Sequence, residues 1–409
     1  MSDYDPWQPA PRPSKRKMYA LWGAVGVVLI IVSAVIANLI TREGKQTPVI
    51  APPPKAPAVA QVSAETPSLT TDVILSGRQN VWDMAFLPGK ELLFTERKGT
   101  LSLLKDGKVQ QVAAIPDVRA MGEGGLMGLA IDPSFAQNHL IYTCYNSVKM
   151  DVRVVRWRIK DDFSGLEKRT DIIAGMPANP SGRHSGCRVA FGIDQQLWIG
   201  TGDSAQGLAP QPPQDPQSLG GKILHVDTSG KAAPGNSLGG FDDRVYSYGH
   251  RNTQGLAFFA SEKQGVQGIS VEHGSSLDDE VNVLKPGNFG WAPPDGSYNE
   301  AGVPMTDKQR FPAAIDAIWS SGEPTQAPSG AAILRGAQWK GWDGAIAVAV
   351  LKGQHLKILR IDDQIQVTRE ERALENQYGR LRAVVQGPDG SLYVSTDNSG
   401  DDKIIRVTP

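Results

Sequence analysis

Arg188–Asp203 reads RVAFGIDQQLWIGTGD: an apolar run, a polar turn, a second apolar run, and a glycine-flanked hydroxyl and carboxylate. The same order recurs from Val81 (VWDMAFLPGKELLFTER), Gly125 (GLMGLAIDPSFAQNHLIYTCY), near Gln254 (QGLAFFASEKQGVQGISVEHG), near Ala331 (AAILRGAQWKGWDGAIAVAV) and from Arg382 (RAVVQGPDGSLYVSTDN). After several of these units comes a further strand of basic and apolar residues: Thr100–Leu104, Val152–Ile159, Ile223–Val226, Leu356–Ile361 and Lys403–Val407. Helical periodicity is nearly absent from Asp72 onward. Six repeats of roughly 40–60 residues, each of three or four strands, predict an all-β fold, a six-bladed β-propeller. A β-sandwich would not explain why polar clusters return at the same point of each unit. In a propeller those points meet at one mouth of the central channel.

The rest of the chain bounds the setting. A formal net charge of −1 over 409 residues offers no polybasic surface for nucleic acid. Cys144 and Cys187 are the only cysteines, and one bridge or two buried thiols are both compatible with the sequence. Met18–Ile40 carries no charged side chain and follows Lys15-Arg16-Lys17. A helix over that stretch is roughly 34 Å long at ~1.5 Å per residue, enough to cross a bilayer. The expectation is a cytoplasmic tail over 1–17, a transmembrane signal anchor over 18–40, a Pro/Ala-rich linker over 41–70 and a propeller domain over 71–409. The protein would then be single-pass in the cell membrane, its propeller periplasmic or extracellular.

Polar clusters fall at the ends of the inner strands: Glu123, Arg183-His184, Asp203, Arg251-Asn252, His273-Gly274-Ser275, Lys352, Arg380 and Arg382. Arg251-Asn252 lies within Gly249–Gly255, a cation, an amide and an imidazole between glycines. Four cations (Arg251, Lys352, Arg380, Arg382) aimed at one channel repel unless a polyanion sits among them. Arg would grip its carboxylates by forked bonds and Lys as a point charge. Gly274 and Ser275 can offer backbone carbonyls to a hard cation such as Ca²⁺. Asp278-Asp279-Glu280 suits tying loop amides together. No zinc spacing, phosphate loop or dinucleotide fingerprint is present.

With these residues in order, the chain resembles the glucose/sorbosone dehydrogenase family, the soluble pyrroloquinoline quinone (PQQ)-dependent aldose sugar dehydrogenases. The resemblance runs from about Val81 to Val407. It is carried by Glu123-Gly-Gly-Leu-Met-Gly-Leu-Ala-Ile-Asp-Pro-Ser-Phe, Gly182-Arg-His-Ser-Gly, Leu219-Gly-Gly-Lys-Ile-Leu, Tyr248-Gly-His-Arg-Asn-Thr-Gln-Gly, Glu272-His-Gly, Gly287-Asn-Phe-Gly-Trp, Pro324-Thr, Leu351-Lys-Gly and Arg380-Leu-Arg-Ala-Val. It implies a six-bladed propeller oxidising an aldose at C1, with His184 as general base, hydride passing to the quinone, and Arg251 over the quinone oxygens. It further implies that Glu123, Asp203, Asn252, Thr325, Lys352, Arg380 and Arg382 surround PQQ, Asp203 orienting His184. Gly274 and Ser275 would hold a Ca²⁺ that also binds PQQ. The electron acceptor would be a quinone or a cytochrome. The family usually carries Gln at Glu123, so either Arg251 or another cation neutralises this carboxylate, or substrate preference has shifted. Ser275 stands where Pro is frequent, and Arg183 where some members have Asp. A non-catalytic extracellular propeller that binds carbohydrate or another ligand is the alternative. A Ca²⁺-dependent lactonase-type hydrolase is disfavoured by the excess of cations.

Overall fold

The computed structural model describes residues 65–261 and 265–409. The expected tail and signal anchor, and the linker up to residue 64, lie outside the described residues; among the described residues no helix is long and apolar enough to cross a membrane. The strands form six sheets, each beginning with an inner strand: Val81–Phe86, Leu126–Ile131, Arg188–Phe191, Thr253–Ser261, Pro328–Ile333 and Leu381–Gln386. These are the six starts read from the sequence, and the sheets are numbered as blades 1 to 6 in that order.

Second strands such as Leu92–Glu96 and Ile346–Val350 are buried along their whole length. Neighbouring blades cover both of their faces, which is why they read as continuous apolar runs rather than as alternation. Outer strands such as Lys108–Ala114 are mostly solvated.

Two strands depart from the repeat read in the sequence. Thr70–Arg78 pairs antiparallel with Asp402–Thr408, Thr70 opposite Thr408, so the first described strand completes blade 6 and closes the ring. Gly287–Asn288 adds in parallel to Val245–Tyr248 as a fifth strand of blade 3, with Ser247 opposite Gly287. That addition carries Trp291 to the His250 loop, where its amide bonds Gly249 O at 2.9 Å.

The inner strands of all six blades line a cavity of about 370 Å³ on the axis of the ring, with Asp83 and Arg188 in its wall. Arg188 and Asp83 form a buried ion pair, and the Arg188 guanidinium lies 4.4 Å from the centre of the Trp82 ring. Burial pushes the Asp83 carboxyl up despite Arg188 beside it. Its Oδ2 takes the Leu129 amide at 2.9 Å while Arg188 Nε reaches Gln254 O at 2.8 Å, so blades 1 to 4 are tied at this ion pair. Cys144, in the second strand of blade 2, is disulfide-bonded to Cys187, just ahead of the inner strand of blade 3. The bridge therefore lies three residues from His184 and joins two blades.

Candidate active site

The polar residues meet because their loops stack at close range. A Cβ on Gly182, whose φ is +78°, would lie 1.6 Å from Met121 O, and one on Gly202 would lie 1.9 Å from His184 O. Only glycine lets the 121–125, 181–186 and 200–203 segments lie on one another. Asn80, Arg97 and Gln254 complete a ring of bonds round the mouth. Asn252 Nδ2 donates to Glu123 Oε2 at 3.1 Å, and Gln254 Nε2 to Asn252 Oδ1 at 3.2 Å. Arg382 Nη1 then reaches Gln254 Oε1 at 3.2 Å and its Nε reaches Asp397 Oδ2 at 2.7 Å. Asn80 links Asp397 to Arg97, which bonds the Gly122 carbonyl beside Glu123.

His184 is 4% exposed and holds a left-handed φ of +48°, an uncommon conformation for a residue with a side chain. Its Nδ1 lies 2.8 Å from Asp203 Oδ1. The buried Asp203 also takes bonds from the Ala205 amide at 2.8 Å, Trp291 Nε1 at 2.7 Å and the Tyr298 hydroxyl at 2.8 Å. Burial by itself would raise the Asp203 carboxyl, but His184, Arg251 and these donors hold it below the usual carboxylate range. An ionised Asp203 accepts the Nδ1 proton and fixes the tautomer with the Nε2 lone pair unprotonated. Nε2 has no protein partner among the described residues and is not among the sealed polar atoms. It is the ring nitrogen left for a ligand.

The sign of the Asp203 shift gives a pH dependence. Stability from the ionised form is complete above its unfolded value, about pH 4, and is lost as pH falls through the depressed folded value. Asp203→Asn should therefore flatten the fall of the urea midpoint on the acid side of pH 4. An unchanged acid slope would contradict the assignment.

Arg251 differs from expectation. Its Nε and Nη2 bond Glu300 Oε2 at 3.0 and 2.7 Å, its Nη1 bonds His273 O at 2.9 Å, and it lies 5.4 Å from the centre of the Trp291 ring. Burial opposes its charge, yet the Glu300 and Asp203 carboxylates beside it hold the guanidinium above its usual range. A guanidinium has five N–H donors, so two remain for a ligand. Glu300 also pairs with Arg183. The expected neutralisation of Glu123 by Arg251 is not what forms. Glu123 instead accepts the His184 amide and the Asn252 side chain, and no cation pairs with it among the described residues. Two neutral donors suffice because Glu123 is only partly buried.

The four cations are likewise not all free. Arg382, 5% exposed, pairs with Asp397 at 2.6 Å. Arg251 and Arg382 therefore have internal carboxylates and need no added polyanion. Lys352 and Arg380 are exposed and have no ion pair among the described residues; Arg380 Nε donates to Asp397 O at 3.2 Å. Lys352 sits in a turn whose neighbours Leu351 and Gly353 bond Ala327 O and Gln326 O, both at 2.9 Å. Thr325, half-buried, opens that second loop.

Asp279 clamps this loop to the Gly274 loop, as the acidic run suggested. Its Oδ1 takes the Gly274 amide at 2.9 Å, and its Oδ2 takes the amides of Gln326 and Ala327. Between the clamped loops, Ser275 Oγ, Gln326 Oε1 and His273 Nε2 are buried without partners. Burial, with the charges of Arg251 and Arg382, lowers His273 to about 3, so its ring is neutral. Neutral, oxygen-rich and under-satisfied, this nest fits a hard cation. No group of three or more His, Cys, Asp or Glu suited to a metal occurs among the described residues. Carbonyl and hydroxyl oxygens would have to do the work.

Tyr298 and Glu300 were missed. They lie in PDGSYNEAG, residues 294–302, which reads as a turn with no periodicity. Only the proximity of Gly287-Asn-Phe-Gly-Trp, itself read as a motif, pointed toward them.

Residues 78–406 match the family model described as Glucose / Sorbosone dehydrogenase. The aldose sugar dehydrogenase YliI of Escherichia coli K12 is 28% identical over 84% of this chain and 93% of its own. Quinoprotein glucose dehydrogenase B of Acinetobacter calcoaceticus is 26% identical over 83% of this chain and 87% of its own. The PQQ-bound structure of an aldose sugar dehydrogenase from Streptomyces coelicolor is 31% identical, with a TM-score of 0.70, covering 84% of this chain and 99% of that one.

Proposed function

The chain belongs to the glucose/sorbosone dehydrogenase family, and we propose that it oxidises aldose sugars at C1 to the lactone, using PQQ and Ca²⁺, outside the cytoplasmic membrane. The observation that carries this reading is His184, whose Nδ1 is engaged by Asp203 while its Nε2 is left without a protein partner beside Arg251.

PQQ, when bound, supplies a two-electron acceptor for the hydride of the sugar C1, and Ca²⁺ a Lewis acid to polarise it. Lys352 and Arg380, lacking carboxylate partners, would meet the cofactor's carboxylates, with Thr325 and Asn252 donating to its remaining oxygens. Arg382 would support them from behind through Asp397 and Gln254. The carbonyls of Gly274 and Ser275, with the unpartnered Ser275 hydroxyl, would hold the Ca²⁺. His184 Nε2 takes the proton of the C1 hydroxyl, and Asp203 stabilises the imidazolium that results. The two unused N–H groups of Arg251 stabilise negative charge as it develops on the acceptor.

The Cys144–Cys187 bridge supports a site of action in an oxidising compartment. It agrees with an anchor at 18–40 and a propeller on the outer side, passing electrons to a quinone or a cytochrome.

Full-length protein given PQQ, Ca²⁺, an aldose and an artificial dye is expected to reduce the dye only when all are present. No turnover across a broad sugar panel, with no PQQ binding, would overturn the reading in favour of a non-catalytic propeller. Glu123→Gln keeps an acceptor for the His184 amide while removing a negative charge next to an anionic cofactor. It should tighten PQQ binding by about three- to tenfold, read by titration. Weaker binding would show that the carboxylate itself is needed.

A further inference from the structure

One carboxylate outside the expected set holds both halves of this site. Glu300 Oε2 takes Arg251 Nε and Nη2 at 3.0 and 2.7 Å and lies 3.4 Å from the Tyr298 hydroxyl. That hydroxyl donates to Asp203 Oδ2 at 2.8 Å and stands 3.0 Å from His184 Nδ1. Glu300 Oε1 pairs with Arg183, whose guanidinium lies 5.3 Å from the centre of the Tyr298 ring. The base precedes the inner strand of blade 3 and the cation that of the adjacent blade 4, and the loop carrying Tyr298 and Glu300 contacts both. Glu300 remains ionised despite burial, because Arg251, His184 and Arg183 hold its carboxyl below the usual range.

We propose that Glu300 is a positioning residue for the dehydrogenase reaction: it orients the Arg251 guanidinium so that its two unused N–H groups face the acceptor, and its negative charge stands close to His184. This rests on the function proposed above. Three of the five Arg251 donors are fixed by Glu300 and the His273 carbonyl, so the plane of the guanidinium is set before any ligand arrives. Without the carboxylate, Arg251 keeps the His273 carbonyl and the Trp291 ring but loses the fork that sets its rotation.

The groups facing the imidazole are Asp203, Tyr298, Glu300, Arg251 and the neutral His273, with Glu123 at its backbone amide. Neutralising Glu300 removes an anion that favours imidazolium. The acid limb of the rate profile then moves to lower pH.

The test uses the full-length protein reconstituted with PQQ and Ca²⁺, as wild type, Glu300→Gln and Glu300→Asp. Glu300→Gln should lower kcat at least tenfold and move the acid limb of kcat/KM to lower pH by about half a unit or more. PQQ affinity should stay within about threefold and the melting temperature within a few degrees. Glu300→Asp should recover the pH profile in part. Wild-type kinetics in Glu300→Gln would overturn this inference alone. So would a tenfold gain in PQQ affinity, which would make Glu300 a competitor of the cofactor. A large fall in melting temperature with an unmoved pH profile would reduce Glu300 to a structural role. A wild type that neither binds PQQ nor turns over would end the proposed function and this inference with it.

Discussion

His184→Ala should lower kcat by about 10²–10⁴-fold while leaving PQQ affinity within a few-fold of wild type. The range is that of a positioned general base. Separation of the two effects follows from the geometry. His184 is held by Asp203 through Nδ1 and by Glu123 through its backbone amide, and truncation to alanine leaves the amide bond in place. Asp203 would lose one donor but keep the Ala205 amide, Trp291 Nε1 and the Tyr298 hydroxyl. A buried carboxylate with three donors is still paid its desolvation, so the loop persists. Lys352 and Arg380 touch none of these groups. Single-turnover reduction of bound PQQ by an aldose is the direct measurement, since it isolates the chemical step. Unchanged single-turnover rates would remove His184 from the mechanism.

The second large effect concerns stability. Replacing both Cys144 and Cys187 by alanine should destabilise the propeller by roughly 4 kcal/mol, the loop-closure value for a bridge spanning 43 residues. Both cysteines are fully buried, between blades 2 and 3, so the loss should be felt by the inner strand that starts at Arg188. Because the bridge lies three residues from His184, activity should fall with temperature before global unfolding does. Urea unfolding of wild type and the double variant, with and without reductant, measures this. A double variant as stable as wild type, or reductant without effect on wild type, would contradict it.

The propeller was legible because its information is local. Each inner strand and its partner are short apolar runs about a turn such as Phe191-Gly-Ile-Asp-Gln-Gln-Leu197, and this punctuation survives in all six units. The ring-closing strand Thr70–Arg78 was not legible, since an edge strand packed only through partly buried Ile74 and Leu75 carries little apolar pattern. The state of the cysteines was undecidable for a similar reason: it depends on a 6.1 Å Cα separation that only the fold creates.

Site residues divide in the same way. His184, Asp203, Arg251 and Asn252 stand in glycine-bounded motifs at strand ends, where polar groups cannot serve a core. Glu300 and Tyr298 sit in a long excursion between the strands Gly287–Asn288 and Trp319–Ser320, where polar residues are the norm. Internal pairing was also hidden. Asp397, directly after Ser395-Thr396, neutralises Arg382, and Glu300 does the same for Arg251. The count of cations therefore overstated the free positive charge, and Lys352 and Arg380 are the two left without an ion pair among the described residues.

Titration of the full-length protein with PQQ, followed by the absorbance of the bound cofactor with and without Ca²⁺, bears most directly on the central claim. Saturable binding of one PQQ per chain is expected, tighter with Ca²⁺ and weakened at least about tenfold by Lys352→Ala and Arg380→Ala together. Absence of saturable binding under both conditions, or binding indifferent to both substitutions, would contradict the account.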